Sequence, residues 1–276
     1  MKYLPLILFF VTHFILLACG QDKGEKPTIS AAVKKGAIND FKYVLHKAET
    51  RGETTTGWLL AKHSFTFNNY YDPDRMNFGA LRVFNDDWID KDKGFPFHPH
   101  NNMEIITIVL NGSMHHQDDF GNSGVIRASD VQIMSAGTGI THAETNPSKT
   151  EHIESFQIWV IPNKKNVKPR YQQKNGILNN IPQNTFKTIV SPTDTTAAFL
   201  YQNAVFSIGN LSNKKQFNYP LSFTGNGVYA FVIEGSAMVN GITVNRRDGI
   251  GVWNTPQITI EATSELKILL MDVPMN

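Results

Sequence analysis

Cysteine is almost absent from this chain of 276 residues: the one thiol is Cys19. Everything beyond it is therefore built without disulfides and without a cysteine nucleophile. Helical periodicity is scarce too, which argues against a helical bundle. No basic patch of nucleic-acid size occurs, because Lys and Arg are scattered through a chain of formal charge +2, and nucleic acid is not an expected partner. The G-x-S-x-G of serine hydrolases is missing, and Gly137-Thr138-Gly139 alone is a turn signal rather than a nucleotide loop. Histidine is missing beyond residue 152: the nine lie at 13, 46, 63, 98, 100, 115, 116, 142 and 152. Imidazole chemistry is confined to the part of the chain before that point.

What is present begins at the N-terminus. Lys2 precedes an apolar run from Leu4 to Ala18, short for a membrane span and of the length of a secretory signal. The run ends in Leu16-Leu17-Ala18-Cys19-Gly20, which resembles a bacterial lipobox. That resemblance implies loss of residues 1–18, a lipid on Cys19 and a place in the cell envelope, anchored to the membrane. The loss would remove Lys2 alone among the charged residues and lower the formal charge of +2 by one. Residues 20–36 are polar and read as a tether.

The body alternates short β-branched and aromatic runs with Gly, Asn and Asp clusters. The runs are 57–67, 79–84, 104–110, 124–127, 131–134 and 155–161, the pattern of an all-β sandwich or barrel. Asn111-Gly112, Asp119–Asn122 and Asn240-Gly241 read as hairpin turns. A weak internal repeat relates Ile106–Ser113 to Ala230–Ser236, each followed by a second apolar strand and an aspartate, Asp130 and Asp248.

Two short motifs carry the chemistry: His98-Pro99-His100 and His142-Ala143-Glu144. Residues two apart on a strand face the same way, so each motif offers two inward ligands. Three imidazoles and a carboxylate suit a first-row divalent metal with room for an exogenous ligand: iron, manganese, nickel, copper or zinc. A single histidine in a strand is more often a packed or solvated residue than a ligand. The recurrence of H-x-H and H-x-E is what points to a metal.

Gly94-x3-His98-Pro99-His100-x3-Glu104-x7-Gly112 resembles the first cupin motif, and Ala136-Gly137-Thr138-Gly139-Ile140-Thr141-His142 the second. The run from Phe97 to Ser148 is similar to the signature of the pirin family. The resemblance implies a bicupin, two cupin or jelly-roll-type β-barrels packed together, with metal in the N-terminal one only. It implies the divisions 1–18 signal peptide, 19–46 tether and N-terminal segment, 47–172 metal-binding cupin and 173–276 metal-free cupin. It names His98, His100, His142 and Glu144 as ligands of one divalent metal, iron(II) first, with Mn, Ni, Co or Cu as alternatives. Glu104 has the parity of His98 and His100 and is the alternative fourth ligand, or else a group that orients an imidazole. Asn101-Asn102 and Ala128-Ser129 depart from the family pattern without removing a ligand.

The activity implied is oxidative cleavage of a flavonol such as quercetin by O2, with Glu144 as general base and Phe65, Phe67, Phe97 and Met134 as candidate pocket linings. His116 is expected near the pocket and His115 toward solvent. The competing reading is a non-catalytic or redox-sensing metal protein of the envelope, since a cupin metal does not by itself mean catalysis. Zinc hydrolysis or isomerisation is disfavoured, because four protein ligands leave a poorer open position than three.

Overall fold

The structure, a computed structural model, describes residues 34–35 and 41–275, so Cys19 and the signal-like run lie outside the described residues. Apart from one 3-10 turn at Ala48–Thr50, the described secondary structure is all strand, in four antiparallel sheets. In the first half a seven-stranded sheet runs in the order Arg170–Lys174, Val131–Ser135, Glu104–Asn111, Ile153–Val160, Leu81–Ile89, Leu59–His63, Gly52–Thr55. It faces a four-stranded sheet of Gly94–His100, Ile140–Thr145, Ser113–Asp118 and Ser123–Arg127. The second half repeats the plan. Its seven-stranded sheet has Asn226–Glu234 and Leu266–Pro274 near the middle, and its four-stranded sheet comprises Gln216–Pro220, Gln257–Ala262, Ser236–Val239 and Ile242–Asn245. The expected apolar runs all became strands. Each half is a jelly roll of two facing sheets, and no continuous ladder closes a barrel among the described residues.

The internal repeat is structural. Glu104–Asn111 and Asn226–Glu234 each turn at a glycine of positive φ, Gly112 (76°) and Gly235 (83°). A Cβ there would press within 2.6 Å of His152 O or 2.0 Å of Glu265 O, so only glycine fits. Each then crosses to the four-stranded sheet and returns through an aspartate that accepts a backbone N–H three residues back: Arg127 N to Asp130 (2.9 Å) and Asn245 N to Asp248 (2.9 Å).

Residues 42–46, placed from sequence in the 19–46 tether and N-terminal segment, form a strand paired with Gly249–Trp253 of the second half. The partner lies far away in sequence, so local pattern could not reveal it.

The two seven-stranded sheets pack on each other through one core. Phe84, Ile106, Ile133, Phe156 and Ile158 of the first half meet Phe206, Tyr229, Phe231, Leu269 and Met271 of the second. The other faces of these sheets look into each jelly roll. The second interior is one apolar cluster around Val228, Ala230, Val232, Ile260 and Leu270. The first interior is divided: one cluster holds Leu59, Ile89, Val109, Met114 and Ile126, another Ile105, Met134, Ala136 and Ile140. Polar side chains fill the gap between them, and there the site lies.

Candidate metal centre

Gly94–His100 pairs with Ile140–Thr145 so that His98 stands opposite His142 and His100 opposite Ile140. His98 and His100 share a face because Pro99 takes the other, exposed one. The three rings form a near-equilateral triangle, with centroids 4.9 Å (98–100), 4.4 Å (98–142) and 4.9 Å (100–142) apart. One nitrogen from each lies within 4.8 Å of the others.

Hydrogen bonds behind the rings fix which nitrogen is bare. His98 Nδ1 donates to Pro96 O (2.8 Å), leaving Nε2 free. Behind His142 the order is Asp118, His116, His142: His116 Nε2 lies 3.5 Å from Asp118 Oδ2, and His116 Nδ1 lies 3.4 Å from His142 Nδ1. A carboxylate only accepts, so His116 donates from Nε2, accepts at Nδ1 from His142, and leaves His142 Nε2 with its lone pair. That nitrogen is buried without a partner among the described residues. Asp118 is itself held by the backbone N–H groups of Phe120 and Asn122 and by Asn122 Nδ2. Burial and the neighbouring imidazoles hold His142 down at about 2 and His100 at about 3, so both are neutral at pH 7. Neutral, pre-aimed imidazoles with an orphaned nitrogen fit a divalent metal ion.

Glu144 stands beside this triangle, its carboxylate grouped with His116 and His142 within 4.8 Å. Thr107 Oγ1 donates to one oxygen (3.1 Å) and Gln157 Nε2 to the other (2.8 Å). The strand pairing slips by a residue between His142 and Glu144, so Glu144 lies opposite Phe95. That bulge turns Phe95 into the pocket.

The structure corrects the reading of Glu104. Its carboxylate accepts from Ser135 Oγ (2.9 Å) and Tyr201 N (3.1 Å), and no imidazole touches it. The turn after His100, with Asn102 at φ 46°, resets the strand parity. Glu104 thus joins the face that looks toward the second half, and Ile105 and Thr107 face the interior. Burial pushes its carboxyl up to about 7.

Of the four expected linings only Phe67 lines the pocket. Phe65 and Met134 are core residues, and Phe97 is 57% exposed on the outer face of the histidine strand. His116 is fully buried and His115 faces outward, where it meets Ser123. Sequence reading missed Phe95, Asp87, Gln157 and Trp159, which do line it, together with His98, His100 and Glu144. The alternation of Gln157 and Trp159 with buried Phe156 and Ile158 was the available signal. The pocket, a cavity of about 90 Å³, opens to solvent.

Fold and site together define a bicupin whose N-terminal half carries, among the described residues, a cluster of imidazoles and a carboxylate that could hold a metal ion. The chain belongs to the pirin family. The Pirin family profile matches residues 45–160, and that of the quercetinase C-terminal cupin domain matches 188–273. A quercetin 2,3-dioxygenase of Escherichia coli K12 is 39% identical over 231 residues, covering 83% of this chain and 98% of that one. A pirin-like protein of Caulobacter vibrioides is 41% identical over 223 residues, covering 80% and 95%. The crystal structure of the bacterial pirin YhhW from Escherichia coli in complex with nickel(II) superposes with a TM-score of 0.79 at 38% identity, covering 85% of this chain and all of that one.

Proposed function

We propose that this protein is a metal-dependent dioxygenase that cleaves a flavonol of the quercetin type, or a related enolic aromatic, with O2. The observation that carries the reading is the triangle of imidazoles beside an open, aromatic-walled pocket. When bound, a divalent metal, iron(II) by preference, supplies Lewis acidity and a redox-capable template there. Phe67 and Phe95 flank the pocket, and Trp159 sets its edge against His100 with centroids 4.9 Å apart, a slot for a flat ring. Glu144 accepts the proton of the enolic hydroxyl, and Thr107 and Gln157 keep its carboxylate aimed. The relatives named for quercetin cleavage support the substrate class. The test is oxygen uptake by metal-loaded protein over a panel of flavonols. Turnover is expected, and Glu144→Gln should bind flavonol yet turn over about 10²–10⁴-fold more slowly. Flavonol left unconsumed at saturating O2 would overturn the reading.

We also propose that the enzyme is lipid-anchored through Cys19 in the cell envelope. The lipobox-like Leu16-Leu17-Ala18-Cys19 supports this. Labelled fatty acid is expected in the native protein and absent from Cys19→Ser, which should leave the membrane fraction. Equal labelling of both would refute it.

A further inference from the structure

One wall of the pocket carries polar atoms that nothing in the fold uses. Asp87 Oδ1, Gln157 Oε1 and Trp159 Nε1 are buried without a hydrogen-bond partner among the described residues. All three side chains line the pocket that His98, His100 and Glu144 line. They sit on the adjacent strands Leu81–Ile89 and Ile153–Val160, where Gln157 pairs with Asn85, Trp159 with Val83 and Ser155 with Asp87. Alternation puts them on the interior face in a row: Trp159 beside His100, Gln157 beside Glu144, and Asp87 one step farther. Asp87 is the most telling member. It is only 6% exposed, its Oδ1 has no hydrogen-bond partner among the described residues, and its carboxyl is raised by burial first and then by the charges of Asp86 and Glu144. The neighbouring His63 is already engaged at both nitrogens, Nδ1 donating to Asn85 Oδ1 (2.7 Å) and Nε2 accepting from Thr54 Oγ1 (2.9 Å). No Lys or Arg lines the pocket.

Resting on the dioxygenase reading, we propose that Asp87 is a specificity-determining residue that hydrogen-bonds a hydroxyl of the bound substrate away from its metal-binding end. Gln157 Oε1 accepts from the substrate beside it, and Trp159 Nε1 donates. The ligand this wall selects is a neutral polyhydroxylated aromatic. A substrate with a carboxylate at that end meets two acidic side chains and no cation, and is rejected.

The test is anaerobic titration of metal-loaded protein with two probes, quercetin and 3-hydroxyflavone, followed by Trp fluorescence. The second probe keeps the hydroxy-ketone and lacks the remaining hydroxyls. Native protein should bind quercetin at least tenfold more tightly. Asp87→Ala should lose about tenfold on quercetin and nothing on 3-hydroxyflavone, and Asp87→Asn, which still hydrogen-bonds, should recover most of the loss. A ratio of affinities unchanged in Asp87→Ala overturns the assignment and leaves the dioxygenase reading standing. Failure of both probes to bind native protein overturns both. A structural role for Asp87 would lower ligand-free thermal stability, whereas an unpartnered carboxyl predicts that Asp87→Ala melts no lower than native protein.

Discussion

Replacing His142 by Ala is expected to abolish the metal-dependent part of this protein's stability and its turnover together. His142 is the ring both groups of candidate ligands share, with His98 and His100 on one side and His116 and Glu144 on the other. A metal that binds only the folded state stabilises it by about 4.1 kcal/mol at a free concentration a thousand times its Kd. For a domain pair of this size that is a rise in Tm of roughly 8–16 °C, at about 2–4 °C per kcal/mol. The native protein should show that rise on adding iron(II), nickel(II) or manganese(II) and lose it to a chelator. His142→Ala should show almost none of it. His116→Phe tests the hydrogen bonds behind the ring. The phenyl keeps the buried volume and cannot accept from His142 Nδ1, so metal affinity should fall about 10–100-fold, with the fold intact. A full metal-dependent rise in His142→Ala would place the metal elsewhere.

The gradation between those two variants marks where sequence reading reached and where it stopped. His98, His100 and His142 were legible because an H-x-H strand must aim both rings one way, and the pairing of His98 with His142 completes the triangle. Glu144 was legible in position but not in surroundings, since its partners Thr107 and Gln157 sit on strands 37 and 13 residues away. Glu104 was misread for a local reason. Parity counted from His98 holds only while the strand continues, and the left-handed Asn102 ends it. Phe95, which had no role in the sequence reading, lines the pocket for a related reason: the bulge opposite Glu144 is invisible in a string of letters. Asp87 carries no motif at all, and that it lines the pocket with no Lys or Arg beside it becomes apparent only in three dimensions. The fold was legible in its runs and its repeat. The junction between the halves was not, because central strands such as Glu104–Asn111 and Asn226–Glu234 are buried on both faces, and a strand buried on both faces loses the alternation that tells one interior from another.

That junction sets the other large expectation, at a residue far from the metal. Phe231→Ala should destabilise the protein by about 3–5 kcal/mol, the range for a buried Phe reduced to Ala. Phe231 is fully buried at the meeting of the two seven-stranded sheets. Its ring packs on Phe84 at 4.4 Å and Phe156 at 5.4 Å, both from the metal-binding half, and the Arg51 guanidinium lies over it at 5.3 Å. The cavity left by truncation would therefore be walled by both halves, and neither could close it without shifting the sheet that carries Gln157 and Trp159 into the site. Denaturant unfolding should stay a single transition with a lowered midpoint, and the loss of bound metal, followed by its absorption, should coincide with the loss of near-UV dichroism. Coincidence would establish that the C-terminal half works as the back wall of the metal-binding half. Two separated transitions, with metal released only in the second, would make the halves independent and leave the metal site indifferent to Phe231.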